Sequence, residues 1–317
     1  MDTILITGGA GFIGSHLSET LLKQGHFIVC LDNFNDYYDP QIKRRNVQEI
    51  LSNKNYKLIE GDILDLSLLR EIFQKYKIDI IIHLAARAGV RPSIRQPLLY
   101  QKVNVEGTTN LLEMAKDFEI KKFIFGSTSS VYGKNKKVPF SEDDPVDHPI
   151  SPYAATKKAG ELICYTYHHL YNLPVSCLRF FTVYGPRQRP DMAIHKFTRH
   201  IFYGENVPMF GQGDTRRDYT YISDIIDGIC KAMEHCHSYH IYNLGESKTI
   251  ELRKLINLIA ETLGKTPKIE VLPMQPGDVP ITYADISRAK QEIGYNPQVD
   301  IEVGIQNFVE WFKKIYA

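Results

Sequence analysis

The sequence predicts an α/β fold: a doubly wound parallel sheet with helices on both faces, completed by a smaller C-terminal α/β lobe. Three observations carry this expectation. Through the first half, six short runs rich in β-branched and aromatic residues alternate with helix-length segments. The runs are almost continuously apolar, as strands covered on both faces must be. After Phe181 the elements shorten and turn formers crowd in, at Gly185, Pro186, Pro190, Pro208, Gly211 and Gly213.

Taken in order, the first strand is TILIT, residues 3 to 7, and TGGAGFIGSH follows it directly and opens a helix. Gly8, Gly11 and Gly14 stand in a G-x-x-G-x-x-G frame around Phe12 and Ile13. Small residues there let the backbone approach a pyrophosphate, whose charge is met by amides at a helix N-terminus, so this half reads as the dinucleotide-binding, or Rossmann, form of the fold. FIVCLD, residues 27 to 32, is the second strand and ends on Asp32, followed by Asn33. A carboxylate there accepts hydrogen bonds from ribose hydroxyls and repels a 2′-phosphate, which favours NAD over NADP.

The third strand, YKLIEGD over residues 56 to 62, delivers Asp62 and Ile63 towards the adenine edge. IDIIIHLAA, residues 78 to 86, is the fourth and ends on Leu84, Ala85 and Ala86, small where a cofactor backbone passes. KKFIFGS, residues 121 to 127, is the fifth and leads into Thr128, Ser129 and Ser130. Next comes SPYAATKKAG, a helix start that sets Tyr153 and Lys157 four residues apart on one face. An ammonium and a cationic nicotinamide beside a phenol both stabilise the phenolate, so the pair is expected to lower the Tyr153 pKa towards use as a base, with Thr128 hydrogen-bonding the same substrate hydroxyl. LPVSCLRFF, residues 173 to 181, is the sixth strand. The C-terminal VGIQNFVEWFKKIYA spaces Ile305, Phe308, Val309 and Phe312 as a docked helix.

Composition narrows the class. The 317 residues hold 38 lysines and arginines against 37 acids, which leaves no net field to gather nucleic acid or anionic lipid. The tracts Lys43-Arg44-Arg45 and Lys134 to Lys137 read as solvated faces. Five scattered cysteines without a C-x-x-C pair fit buried free thiols in a reducing compartment. The start MDTILITGG lacks the cationic and apolar regions of a signal peptide, and no apolar run reaches membrane-spanning length. The expectation is therefore a cytoplasmic enzyme with no membrane or nucleic-acid partner. The histidines of His168-His169 and of HCHSYH (residues 235 to 240) lack partners at metal-ligand spacing and read as surface or helix-end residues, with no metal.

In chain order, TGGAGFIG, HLAA, STSSVYG, YAATK, RFFTVYGP, RRDYTYISD and PGDVP resemble the extended short-chain dehydrogenase/reductases, and among them the nucleotide-sugar epimerases and dehydratases, over the whole chain. The resemblance implies bound NAD, a Tyr153 base assisted by Lys157 and Thr128, and a UDP-sugar held mainly by the C-terminal lobe. It also implies a homodimer paired through helices in residues 93 to 118 and 151 to 171. The expected division is residues 1–180 for NAD and 181–317 for the nucleotide sugar, with a boundary blurred by chain interchange. Asn104 joins Gly8, Gly11, Phe12, Ile13, Gly14, Asp32, Asn33, Asp62, Ile63, Leu84, Ala85, Ala86, Tyr153 and Lys157 in the cofactor set.

Related 4,6-dehydratases carry an Asp-Glu pair after the threonine, and UDP-glucuronate decarboxylases a Glu at the second position. Here Ser129 and Ser130 stand there, and neither can remove the C5 proton. Ordinary UDP-glucose 4-epimerases carry Asn at the position of Thr182. Ser129, Ser130 and Thr182 with Arg189 form a donor set suited to a carboxylate, and HLAARAGVR and RFFTVYGPRQRPDM resemble the UDP-glucuronic acid 4-epimerases. Oxidation at C4 of UDP-glucuronate makes a β-keto acid. A ring of donors that holds the carboxylate near the carbonyl plane suppresses loss of CO2. By resemblance Arg217 holds the diphosphate, and Val207, Pro208, Met209 and Phe210 flank the uracil. Asp278 is assigned either to a ribose hydroxyl or to a surface salt bridge, since Gln275 replaces the arginine expected near it. Arg187 is read as a dimer or loop residue. A neutral UDP-hexose epimerase and a non-catalytic NAD-binding regulator remain as alternatives.

Overall fold

The computed structural model describes residues 1–274 and 279–316. Seven parallel strands form the main sheet: β1 (Thr3–Thr7), β2 (Phe27–Asp32), β3 (Tyr56–Glu60), β4 (Ile80–His83), β5 (Lys122–Thr128), β6 (Val175–Phe180) and, far along the chain, Tyr239–Leu244. Their spatial order, beginning with Tyr239–Leu244, is then β6, β5, β4, β1, β2 and β3. The order reverses between β1 and β4, and the crevice beyond the C-terminal strand ends at that switch is where such sheets bind ligands.

The apolar strand runs follow from burial on two faces. Ile4, Ile6, Ile28, Cys30, Ile80, Ile82, Ile124 and Leu178 face one hydrophobic core, while Leu5, Val29, Leu31, Ile81, Phe123, Phe125, Val175 and Cys177 face another. Side chains alternate along a strand, so each successive residue needs an apolar neighbour above or below the sheet. The helices supply it. Those in chain order are α1 (Phe12–Lys23), α2 (Pro40–Val47), α3 (Leu66–Tyr76), α4 (Val90–Arg95), α5 (Pro97–Gln101), α6 (Gly107–Asp117), α7 (Pro152–Tyr171), α8 (Ala193–Tyr203), α9 (Ile222–Glu234), α10 (Leu252–Leu263), α11 (Ser287–Ile293) and α12 (Ile301–Tyr316). α1 and α9 cover the first core, and α3, α6 and α7 the second. None of the described helices is long and apolar enough to cross a membrane.

Three small sheets complete the second half. β7 (Thr182–Tyr184) pairs with β10 (Tyr219–Tyr221), β8 (Asn206–Phe210) with β13 (Lys268–Leu272), and β9 (Arg216–Arg217) with β12 (Ile250–Glu251). The seventh main strand, β11 (Tyr239–Leu244), comes from beyond residue 181, as does the α9 helix that packs on β5 and β6. The chain thus crosses back into the main sheet after building the first pieces of the lobe. α12 docks with Ile305, Phe308, Val309 and Phe312 fully buried, and all five cysteines are buried free thiols.

Several strands end sooner than the sequence runs suggest. β3 stops at Glu60 and β4 at His83, so Asp62 and Leu84 to Ala86 lie on the loops beyond them. Those loops open on the crevice.

Candidate active site

A cavity of about 550 Å³ runs along the strand ends from the glycine turn to Tyr153. Gly8 takes φ +69°, and a Cβ on it would stand 2.8 Å from the Ala85 nitrogen. On Gly14 a Cβ would stand 2.4 Å from the Gly8 oxygen and 2.6 Å from the Gly9 Cα. Only hydrogen fits at these contacts, so the turn closes tightly and α1 follows its N-cap Gly11 with no side-chain cap and no acid in its first turn. Free N-terminal amides on a cavity wall suit an anion. With Asp32 at the end of β2, the residues fit a dinucleotide.

Asp32 is buried, and its carboxylate accepts from the Ala10 amide at 3.2 Å and the Phe34 amide at 2.9 Å. Beside it lies a residue that the sequence placed on a solvated face. Lys43 is 4 % exposed, with Nζ 3.8 Å from Asp32 Oδ1. Burial raises the Asp32 pKa despite this ammonium, and burial lowers that of Lys43 despite the carboxylate. Desolvation outweighs attraction on both sides. Its neighbour Arg44 is exposed and forks onto Glu60. The tract misled because a run of like charges says nothing of which member α2 turns inward.

Lys43→Met is expected to lower stability by about 3–5 kcal/mol at pH 7.5, because it strands a buried carboxylate. A carboxyl whose folded pKa is raised binds its proton more readily in the fold than unfolded. The penalty therefore shrinks as pH falls through that raised pKa, and urea unfolding at two pH values measures it.

Asn33 Nδ2 donates to Asp62 Oδ2 at 2.8 Å, joining the loops after β2 and β3 across the cavity, with Ile63 beside them. Leu84, Ala85 and Ala86 line the cavity together with Phe12 and Ile13. Asn104, expected in the cofactor set, does not line the cavity. It is buried on the π-helical turn Lys102–Glu106, accepts from the Arg87 amide at 2.8 Å and donates to the Arg87 carbonyl at 3.0 Å. Its work is to hold the loop carrying Arg87, which does line the cavity.

At the chemical end, Ser151 caps α7 by accepting from the Ala154 amide at 3.1 Å, and Pro152 takes the first turn. This seats Tyr153 and Lys157 on the cavity face, opposite Thr128, Ser129 and Ser130. Thr128 lies on the cavity with the Tyr153 phenol and donates its hydroxyl to Ser130 Oγ at 3.2 Å, Ser130 donates its amide to Thr128 Oγ1 at 3.2 Å, and the Tyr100 ring meets Tyr153 edge-on at 6.2 Å. The Tyr153 pKa is raised rather than lowered in the protein alone, because burial outweighs the Thr128 hydroxyl and the Arg189 charge. Lys157 Nζ instead donates to the Gly126 carbonyl at 2.7 Å, and burial lowers its own pKa to about 8.

Thr182 and Arg189 line the same cavity. Arg189 is not a bare cation. Its Nε and Nη2 fork side-on onto Asp191 at 2.9 Å each, and its guanidinium lies 5.3 Å from the centre of the Tyr37 ring. Tyr37 OH donates to Asp191 Oδ2 at 3.3 Å. Arg187, at φ +68°, reaches back to Glu19 at 2.6 Å and Ser15 at 3.3 Å of α1, which makes it a loop residue.

A second cavity of about 450 Å³ adjoins the first at Tyr37, Gly89 and Val90. Pro208, Phe210 and Arg217 line it, together with Arg91, Lys196, Phe197 and Asp191. Val207 and Met209 do not: both are fully buried in the core. A strand shows alternate residues to opposite sides, so β8 offers two of the four expected residues. Arg217 Nη1 donates to the Arg216 carbonyl at 2.8 Å, and Arg91 lies over the Phe210 ring at 4.7 Å. Asp278 and Gln275 lie outside the described residues.

Sequence reading missed Tyr37, Lys43, Arg91, Lys196 and Asp191. For Asp191 a signal existed, an acid two residues from an assigned arginine; Tyr37, Arg91 and Lys196 also follow assigned residues closely in sequence, but only packing decides that their side chains face a cavity.

A family model described as GDP-mannose 4,6 dehydratase matches residues 5–308. The chain is 45 % identical to a UDP-glucuronate 4-epimerase of Thermodesulfobacterium geofontis, over 99 % of this chain and 97 % of that one. It superposes with a TM-score of 0.93 on the crystal structure of UDP-glucuronic acid 4-epimerase from Bacillus cereus in complex with UDP-glucuronic acid and NAD, at 38 % identity, covering 99 % and 100 % of the two chains. The UDP-glucose 4-epimerase of Thermotoga maritima with UDP-glucose gives a TM-score of 0.92 at 34 % identity, with 99 % and 100 % covered.

Proposed function

The chain belongs to the family described as GDP-mannose 4,6 dehydratase and is an NAD-dependent nucleotide-sugar 4-epimerase, and from that premise we propose that it interconverts UDP-glucuronate and UDP-galacturonate. Bound NAD would supply the hydride-accepting and hydride-donating chemistry at the sugar carbon. Tyr153 takes the proton of the sugar 4-hydroxyl and gives it back, Thr128 orients that hydroxyl, and Lys157 keeps a positive charge near the phenol. Desolvation of Tyr153 in the protein alone means that this charge, with that of the cofactor ring, is needed to bring the phenol into use. The glycine turn and α1 hold the pyrophosphate of the cofactor, Asp32 a ribose.

The observation carrying the substrate assignment is the wall beside Tyr153. Ser129, Ser130, Thr182 and Arg189 meet there on one cavity, hydroxyl donors and a guanidinium where related dehydratases need an acid. The side-on pair with Asp191 engages Nε and Nη2 of Arg189, which leaves Nη1 for a sugar carboxylate. Arg91, Arg217 and Lys196 suit the diphosphate in the adjoining cavity, with Phe210 and Pro208 towards the uracil. Relatives that act on UDP-glucuronate support the same reading.

A second reading, a neutral UDP-hexose epimerase, is favoured by that same ion pair, since Asp191 already offsets the Arg189 charge. Incubation with UDP-glucuronate, followed through the anomeric protons by NMR, separates the two. UDP-galacturonate without UDP-xylose is the expected result; turnover of UDP-glucose alone would sink the proposal. Thr182→Ala and Arg189→Ala are expected to raise the xylose-type product relative to the epimer. An unchanged ratio counts against the carboxylate-holding role.

For the expected homodimer, the support is an apolar face left on the helices in question: Leu98 is 79 % exposed, Leu170 59 % and Leu162 56 %. Sedimentation of the same sample as a monomer would remove it.

A further inference from the structure

One turn beyond Lys157, α7 carries Glu161, which is fully buried. Its carboxylate accepts a side-on fork from Arg179 of β6, Nε to Oε1 and Nη2 to Oε2, each at 2.9 Å. Both side chains are 1 % exposed. Ser127 Oγ donates to Glu161 Oε1 at 2.6 Å. The remaining arm of Arg179, Nη1, donates to Tyr132 OH at 3.0 Å, and Tyr132 OH donates to Asn243 Oδ1 of β11 at 2.7 Å.

The cluster joins the pieces on which the proposed chemistry depends. Ser127 directly precedes Thr128 at the end of β5. Tyr132 closes the short 3-10 helix Ser129–Tyr132 that carries Ser129 and Ser130. Glu161 shares α7 with Tyr153 and Lys157. A buried ion pair adds little net stability over well-packed apolar side chains of the same volume, whereas directed bonds among five elements fix their relative placement to about half an ångström.

We infer that Glu161 is a positioning residue of the reaction, locking the Thr128 to Ser130 segment against Lys157 and setting a fixed negative charge behind that ammonium; the inference rests on the catalytic reading of Tyr153 and Lys157. The groups facing Lys157 are the Gly126 carbonyl and Phe125 ring from β5, His83 from β4, Cys177 from β6, and Cys164 and Glu161 from α7. His83 is kept neutral by burial and by Lys157 itself, and burial holds the Cys177 thiol protonated. Cys164 and, after it, the Glu161 carboxylate oppose the desolvation of Lys157. Its own pKa stays low although burial pushes the other way, because Arg179, Ser127 and Lys158 hold the anion.

The test uses the NAD-bound protein and whichever UDP-sugar the unmodified chain turns over. A wrong substrate assignment is then visible without any variant, and a wrong role for Glu161 only in the variants. In Glu161→Gln the anion behind Lys157 is gone, so the ammonium loses its proton at lower pH. The alkaline limb of the kcat profile is expected to move down by about one pH unit, with kcat about tenfold lower and KM within about twofold. An alkaline limb that stays in place, or a rise in KM with kcat kept, overturns the inference. Should Glu161→Gln fail to fold, Ser127→Ala decides, since it removes one oxygen and leaves the ion pair: about tenfold loss in kcat at unchanged KM supports the inference, and full kcat overturns it.

Discussion

Tyr153→Phe is expected to retain its fold and its NAD while losing about 10²–10⁴ of its turnover. The change removes one oxygen and keeps the ring that packs edge-on against Tyr100, so stability should shift little. Burial already drives the Tyr153 phenol towards its protonated form. The reaction therefore depends on opposing charge held close by, and no neighbouring group replaces the phenol as base: Thr128 is a hydroxyl and Lys157 an ammonium bonded to the Gly126 carbonyl. Steady-state kinetics alongside a count of NAD per chain checks the expectation. Activity within tenfold of the unmodified protein would remove Tyr153 from the mechanism.

Gly14→Ala is expected to fail at an earlier step. The added Cβ meets the Gly8 oxygen at 2.4 Å and the Gly9 Cα at 2.6 Å, and both are backbone atoms with no rotamer to yield. Either the turn opens or α1 moves, at a cost of about 1–3 kcal/mol in stability. The same displacement pulls the N-terminal amides of α1 off the pyrophosphate, and losing two charge-assisted hydrogen bonds corresponds to about 10²-fold or more in NAD affinity. Purified protein should carry little NAD and melt lower. A full complement of cofactor at an unchanged melting temperature would show that the turn does not form the anion site.

These two expectations differ in what a reader of the sequence alone is able to see. The placing of the glycines, Asp32, Tyr153 and Lys157 on the cavity was legible, because the glycines lie between the end of β1 and the first turn of α1, Asp32 ends β2, and the last two stand four residues apart on α7, where short-range geometry dictates the face. Lys43 was read the wrong way round, since α2 buries it while leaving Arg44 in solvent. Val207 and Met209 were assigned with Pro208 and Phe210 as a block, although a strand necessarily divides such a block between core and cavity. Asn104 was placed among the cofactor contacts, and its position on a π-helical turn gives it the Arg87 backbone instead.

By itself the sequence determined the doubly wound sheet, the glycine turn at its first strand and the placing of Tyr153 and Lys157 on one face of α7. Periodicity and short-range spacing are properties of neighbouring residues, and they survive whatever the rest of the chain does. The tertiary structure alone decided which charges are buried and with whom: Lys43 with Asp32, Arg189 with Asp191 under Tyr37, Glu161 with Arg179. Desolvation and the choice of partner arise only when segments far apart in sequence are packed together, and they set whether a lysine, an arginine or a glutamate is a surface charge or part of the site.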